Sequence, residues 1–75
     1  MGKGTRKLDN RLRELRQSHG GITQQELADR VGVTRQTIIA IEGNRYSPSL
    51  EVAFLIARTL GVGVEDVFRY GDDGQ

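Results

Sequence analysis

Residues 23–42, TQQELADRVGVTRQTIIAIE, have the pattern of two short helices joined by a tight turn. Thr23 stands three residues before Glu26, which is the spacing of a capping box at a helix start. Gly32 ends this first helix, because glycine adopts the left-handed conformation of a sharp helix end without steric cost. Thr34 is suited to cap the second helix. The predicted elements are a helix over residues 24–31, a turn over 32–34 and a helix over 35–42.

The second of these helices has an outward stripe suited to contacting bases. Ile38 and Ile41 lie three positions apart and are predicted to face a core. The positions left on the other side form one contiguous stripe, and they are Arg35, Gln36, Ile39 and Ala40. Arginine pairs with guanine edges, glutamine with adenine edges, and an aliphatic group contacts the thymine methyl. Because so short a turn holds two helices at about 90–120°, the second can enter a DNA groove while the first crosses its edge.

Apolar periodicity predicts three further helices around this pair. The first is capped by Asp9 or Asn10, carries Leu8, Leu12 and Leu15, and ends at Gly20-Gly21. The fourth follows the Ser47-Pro48-Ser49 turn and covers residues 50–60, and a short fifth covers 64–69. No run of residues alternates well enough to predict a strand. The predicted fold is all-α, with five helices in one domain over residues 8–70, a flexible arm at 1–7 and an acidic tail at 71–75.

The fourth helix is predicted to be apolar around most of its circumference. At about 100° per residue, its inward arc consists of Leu50, Val52, Ala53, Phe54, Ile56, Ala57 and Leu60. Leu55 falls on the polar side instead, which indicates a surface that something covers. We expect Leu55, Phe68 and Tyr70 to form a dimer contact. The alternative is that Phe68 closes the core of the monomer and Tyr70 has no partner.

The charges are divided unevenly along the chain. The net charge is only +1, but residues 1–45 hold nine Lys and Arg against five Asp and Glu, whereas residues 46–75 hold two against five. The first part is where a polyanion would be held. The alternative is that these charges only solvate helix faces.

Composition argues against several classes of protein. There is no cysteine, and His19 has no second ligand at metal-binding spacing, so we expect neither a metal nor a cofactor. The chain has no glycine-rich phosphate loop and no carboxylate pair in a plausible cleft, which argues against an enzyme. Its apolar runs are far shorter than the roughly 20 residues that a bilayer span needs. We therefore expect a cytoplasmic protein without membrane contact.

Residues 23–42, together with the Ser-Pro-Ser-Leu turn at 47–50 and Leu60-Gly61-Val62, resemble the Cro/CI (XRE) family of bacterial and phage repressors. The resemblance covers about residues 11–70. It implies a five-helix, lambda-repressor-like DNA-binding domain. It also implies that the protein binds double-stranded operator DNA, usually as a two-fold homodimer, and regulates transcription as a repressor.

The resemblance also assigns roles to individual residues. Positions that approach bases are Thr34, Arg35, Gln36 and Ala40. Ile39 stands where the family usually has a small polar residue. Its two alternative roles are a contact with a thymine methyl and packing on the turn. Positions associated with phosphate or with support of the recognition helix are Gln24, Asn44 and Arg45. Tyr46 is open between a phosphate contact and packing over the fourth helix. Arg16 and Glu42 match a partly buried ion pair that we interpret as structural.

One competing hypothesis remains for the function. The helix-turn-helix could be a scaffold for a protein-interaction module, such as the antitoxin of a toxin–antitoxin pair, with Leu55, Phe68 and Tyr70 as its working surface. Specific DNA binding that is sensitive to Arg35 would separate the two hypotheses.

Overall fold

The computed structural model describes residues 8–71; the predicted arm at 1–7 and residues 72–75 of the predicted tail lie outside the described residues. The elements in chain order are β1 (Leu8–Asn10), α1 (Leu12–Ser18), α2 (Gln24–Val31), α3 (Arg35–Glu42), α4 (Leu50–Leu60), α5 (Val64–Val67) and β2 (Phe68–Tyr70). The five predicted helices are present, and the bounds predicted for α2, α3 and α4 are confirmed.

Side-chain caps explain why those three helices begin where the sequence predicts. The capping box at α2 is formed in both directions: the Glu26 N–H donates to the Thr23 hydroxyl at 3.0 Å, and the Thr23 N–H donates to the Glu26 carboxylate at 2.8 Å. Thr34 caps α3 and Ser49 caps α4 in one direction only, each side chain accepting from a backbone N–H three residues on. Each cap satisfies a donor that the helix itself leaves without a partner.

The prediction that the chain has no strand was wrong. Strands β1 and β2 pair antiparallel, with Leu8 opposite Tyr70 and Asn10 opposite Phe68. The first helix therefore begins at Leu12 and not at a cap on Asp9 or Asn10, although the Asn10 side-chain oxygen does accept from the Leu12 N–H at 2.9 Å. Strand β2 likewise ends α5 at Val67, two residues earlier than predicted, because residues 68–70 pair with β1.

The core lies between the helices, and each of the five contributes to it. The fully buried large side chains are Leu12, Leu27, Ile38, Ile41, Ile56 and Val67. Burying one such side chain stabilises a fold by about 1.5–3 kcal/mol, so this small set supplies much of the driving force. Because Ile38 and Ile41 belong to it, the orientation of α3 is set by the core.

The buried side of α4 is narrower than predicted. Its buried residues are Ala53, Ile56, Ala57 and Leu60. Leu50 and Phe54, predicted to point inward, are 73% and 51% exposed. Leu55, predicted on the exposed side, is half-buried and packs against the core. A helix on the surface of a small domain packs only one side on the core, typically a stripe of about 100°, so an apolar arc much wider than that reaches solvent.

Over residues 8–71, no helix has the length and apolar character needed to cross a bilayer. The same part of the chain has no cluster of three His, Cys, Asp or Glu side chains arranged to hold a metal ion. His19 contacts the Leu15 carbonyl at 3.1 Å and the Ser18 hydroxyl at 3.0 Å through Nδ1, as a polar residue at the end of α1.

Candidate nucleic-acid interface

Helix α3 presents its N-terminal turn to solvent because its other side is held in the core. Ile38 and Ile41 are buried, and they fix the rotation of the helix about its axis. Arg35 and Gln36, on the opposite side, are exposed. Both side chains can therefore reach a ligand outside the protein, and both have the paired hydrogen-bonding groups that recognise the major-groove edge of a base.

The other predicted base-contacting residues lie beside these two. Ile39 and Ala40 are half-buried, so only part of each side chain is accessible. Thr34 is exposed, and its hydroxyl accepts from the Thr37 N–H at 3.1 Å and lies 3.0 Å from the Thr37 hydroxyl. This cap fixes the start of α3, which is the turn from which Arg35 projects.

The turn between α2 and α3 depends on the backbone conformation of Gly32. Its φ angle is +87°, a region that glycine adopts readily and other residues rarely do. The N–H groups of Gly32 and Val33 both donate to the Ala28 carbonyl, at 2.8 and 3.0 Å. Ala28 is fully buried, which lets α2 and α3 approach closely. The turn therefore has one well-defined geometry.

A nearly buried ion pair connects α1 to the end of α3. The Nε of Arg16 donates to the Glu42 carboxylate at 2.8 Å, and the guanidinium also donates to the Ile22 carbonyl at 3.0 Å. The side-chain amide of Gln24 donates to the same carboxylate at 3.1 Å. Glu42 thus accepts hydrogen bonds from α1 and from the first residue of α2, and these bonds hold both helices against α3.

An open cleft of about 600 Å³ lies next to this ion pair and connects it to the exposed end of α3. Its cationic residues are Arg13, Arg16 and Arg35, and Gln17, Gln24 and Gln25 add amide groups. Glu42 neutralises Arg16, so Arg13 and Arg35 carry the excess positive charge. Arg13 was missed by the sequence prediction, although its place three residues before Arg16, on the same side of α1, is the signal that could have found it.

Asn44 holds the loop after α3 rather than projecting into solvent. It is half-buried and has a φ angle of +59°. Its side-chain oxygen accepts from the Asn10 amide at 2.7 Å, and its own amide donates to Asp9 at 2.9 Å. The Asn10 amide also donates to the Ile41 carbonyl at 2.9 Å. These bonds tie β1 to the C-terminal end of α3, so the side chain predicted to contact phosphate is occupied within the protein.

This arrangement also affects the ionisation of Asp9. The hydrogen bond from Asn44, followed by that from the Asn10 N–H, lowers the pKa of the Asp9 carboxyl below its ordinary value of 3.8. Both bonds favour the charged carboxylate, which accepts them.

Arg45 and Tyr46 complete the loop after α3, and both are exposed. The Arg45 N–H donates to the Ala40 carbonyl at 2.9 Å, which keeps its backbone against the end of the helix. Its guanidinium folds over Gly43, where a Cβ atom would lie only 2.6 Å from one of its nitrogens. Arg45 thus lies at the end of α3 opposite to Arg35.

The three residues predicted to form a dimer contact differ in exposure. Leu55 and Phe68 are half-buried and pack against the core of their own chain, whereas Tyr70 is 77% exposed. The dimer contact stays a prediction, and most of the side-chain surface of Phe68 is used within the monomer.

Comparison with known proteins places these features in a family context. The sequence model described as helix-turn-helix matches residues 12–67. An HTH-type transcriptional regulator of Methanocaldococcus jannaschii is 52% identical over 66 residues, which cover 88% of this chain and 98% of the relative. One of Methanothermobacter thermautotrophicus is 64% identical over 55 residues, covering 72% of this chain and 80% of the relative.

Two more distant similarities extend the comparison. The HTH-type transcriptional regulator YgzD of Bacillus subtilis is 44% identical over 61 residues, covering 81% of this chain and 91% of the relative. Among solved structures, the clp gene regulator ClgR of Corynebacterium glutamicum superposes with a TM-score of 0.67 at 31% identity, over 73% of this chain. The present chain spans 57% of the length of ClgR.

Proposed function

The chain belongs to the helix-turn-helix family of XRE-type transcriptional regulators, and from this premise we propose that it binds operator DNA with α3 in the major groove. The observation that carries the proposal is the exposure of Arg35 and Gln36 on a helix whose opposite side is fixed by the core. Specific recognition requires base-reading groups held in a defined orientation, since hydrogen bonds to base edges are directional.

Contacts with the DNA backbone would come from both ends of α3. Arg13 lines the cleft beside the N-terminal end, and Arg45 is exposed at the C-terminal end. Such contacts set the register of the protein on the duplex without reading its sequence. We assign Gln24 mainly to support of α3, because its amide donates to Glu42. Asn44 supports α3 in the same way through its bonds to Asn10 and Asp9.

The finer parts of the proposal follow from this mode of binding. A domain lying on an operator occupies the groove that other proteins need, so repression by exclusion is the simplest outcome. A homodimer would read two half-sites about one helical turn apart, with its recognition helices about 34 Å from each other. We also propose that the protein acts in the cytoplasm, where it would have access to operator DNA. The relatives compared above carry names of regulators, which supports a function without catalysis.

The competing hypothesis of a protein-interaction module receives less support. Two residues of its predicted working surface, Leu55 and Phe68, pack against the core of their own chain. A protein partner that bound through them would have to use the smaller part of each side chain. If substitution of Arg35 left the function of the protein unchanged, this hypothesis would be favoured instead.

Selection of bound sites from random duplex DNA tests the proposal. The wild-type protein should enrich a consensus sequence. Arg35→Ala should lose about 1–3 kcal/mol of binding free energy and relax the preference at one base pair, and Arg45→Ala should weaken all sequences and reduce the salt dependence. Arg30→Ala is the matched control, because this exposed arginine lies in the last turn of α2 and outside the cleft. Absence of any enriched sequence would contradict specific operator binding.

A further inference from the structure

The outward side of α4 has an apolar patch that the monomer leaves in solvent. Leu50 and Phe54 lie one turn apart and are 73% and 51% exposed. Leu55, which is half-buried, lies about 100° further round the helix. Apolar side chains exposed side by side commonly mark an interaction surface.

Two opposite charges frame this patch. Glu51 lies in the first turn of α4 and Arg58 in its last turn, and both are exposed. Within residues 8–71, neither lies within salt-bridge distance of an opposite charge. At about 100° per residue, the two fall within about 20° of each other on the helix surface, next to Phe54. The midpoint between them in sequence lies between Phe54 and Leu55.

We propose that this surface is the contact between two copies of the chain, with their α4 helices antiparallel across a two-fold axis that passes between Phe54 and Leu55. The inference rests on the homodimer of the proposed function and names its interface. In a two-fold contact, residue i of one copy meets residue j of the other and the reverse. Glu51 of each copy then meets Arg58 of the other, on both sides of an apolar centre.

Charge complementarity favours a second copy over an unrelated partner. The patch is complementary to itself only when the helices run antiparallel, because a parallel pair would place Glu51 against Glu51 and Arg58 against Arg58. The position also suits the function. The seven residues 43–49 connect the end of α3 to the start of α4, so a contact at α4 would set the separation of the two recognition helices. Leu55 stays in the contact as predicted from sequence, whereas Tyr70 does not belong to it.

The helix dipole offers another reason for these charges, since an acid near the N-terminus and a base near the C-terminus each stabilise a helix. The two explanations differ in what they predict. A dipole effect changes the folding stability of each chain, and it gives no preference for one partner over another. A cross-dimer ion pair changes the choice of partner.

Charge-reversal variants separate the two explanations, because only a cross-dimer ion pair changes which chains associate. Glu51→Arg and Arg58→Glu, tested singly by sedimentation equilibrium at low salt, should each raise the dissociation constant of the dimer about tenfold, because two symmetry-related pairs become repulsive. The double variant should recover the wild-type constant. A mixture of the two single variants should form heterodimers in preference to either homodimer, since both of its pairs are then Glu against Arg. Circular dichroism and urea unfolding would check that every chain folds.

Phe54→Gln and Tyr70→Thr form a matched pair of exposed aromatic substitutions. The proposal expects Phe54→Gln to abolish the dimer and Tyr70→Thr to preserve it. It is overturned if the reverse is found, if mixed single variants show no heterodimer preference, or if the wild-type chain stays monomeric both alone and on DNA. Binding of a single half-site duplex, measured in parallel, would report failure of the proposed DNA recognition separately from failure of the dimer.

Discussion

At the scale of single residues, Glu42 links two other helices to α3. Its carboxylate accepts from Arg16 and from Gln24, and the arginine is only 8% exposed. The family resemblance indicates the ion pair and a supporting role for Gln24, but Glu42 as the partner of Gln24 follows from the packing of α2 against α3. A charge held this deeply is costly when its partner is removed.

We expect Glu42→Gln to lower the free energy of unfolding by about 3 kcal/mol, because Arg16 would remain nearly buried without a counter-charge. Urea titration followed by circular dichroism would measure the loss. Glu14→Gln is the control, since it breaks the exposed Arg11–Glu14 pair at 3.1 Å and should cost less than about 1 kcal/mol. Equal losses in the two variants would show that burial of the Arg16 pair contributes nothing.

Asn44 combines an unusual backbone conformation with a side-chain bond to a carboxylate, and two substitutions separate these roles. Asn44→Gly keeps the positive φ angle without strain but loses the side-chain bonds, at a cost of about 1 kcal/mol. Asn44→Ala adds the strain of that backbone and should cost about 1 kcal/mol more. Thermal unfolding of the three proteins at neutral pH would reveal the order, and an alanine variant as stable as the glycine variant would contradict it.

The same bond gives the wild-type protein a pH-dependent component of stability. Because the pKa of Asp9 is lowered in the folded state, this component is present above the ordinary value of 3.8 and is lost as the pH falls through the folded pKa. Asn44 is the largest cause of the shift. The stability difference between wild type and Asn44→Gly should therefore shrink when the pH is lowered below about 4. Urea unfolding at neutral pH and near pH 3 would measure it, and an unchanged difference would exclude this role of Asp9.

At the scale of elements, local signals explain which parts of the fold are predictable. Helices α2, α3 and α4 are bounded by caps and by glycines that act within four residues, so their bounds can be inferred from the sequence. Strands β1 and β2 are three residues long and about 60 residues apart, and their pairing is a long-range effect. The spacing of Leu8, Leu12 and Leu15 also fits a helix, and only the pairing decides that Leu8 belongs to a strand.

The residues of the candidate site also differ in whether local sequence signals predict their positions. The outward position of Arg35 and Gln36 follows from the buried spacing of α3 and was predictable. Arg13 lines the cleft together with Gln24 and Gln25 of α2, and Asn44 turns inward because β1 lies next to the end of α3. The inward turn of Asn44 has no signal in the local sequence, whereas the spacing of Arg13 from Arg16 indicates which side of α1 it occupies.

The turn between α2 and α3 provides a test at this scale. At Gly32 a Cβ would meet nothing within 4 Å, so Gly32→Ala should cost only the strain of its positive φ angle, about 1–2 kcal/mol. At Gly43 the φ angle is −88° and a Cβ would displace only the flexible end of Arg45. Gly43→Ala should therefore change the free energy of unfolding by less than about 0.5 kcal/mol. Chemical denaturation compares the two, and a reversed order would contradict the importance of the Gly32 conformation.

At the scale of the whole molecule, the part of the chain that carries the proposed DNA surface is also the basic part. Three arginines of the first 45 residues, Arg13, Arg35 and Arg45, belong to the proposed DNA surface. Residues 46–75 have a net charge of −3, from two basic and five acidic residues. The small net charge of +1 is therefore the sum of a basic first part and an acidic second part of the chain. Such polarity orients the protein toward a polyanion before any base is contacted.

Binding of DNA should stabilise the entire domain, because the proposed contacts come from α1, α3 and the loop after α3, which exist together only in the folded state. A specific duplex at about 100 times its dissociation constant should raise the free energy of unfolding by about 2.7 kcal/mol. Thermal unfolding with and without the selected duplex would measure this gain. The gain should diminish as salt is raised from 50 to 200 mM, since phosphate contacts release counterions. Arg35→Ala should gain less from the same duplex, while Arg30→Ala should behave as wild type. A gain that is equal for specific and random duplexes would mean that α3 contributes charge but no sequence recognition.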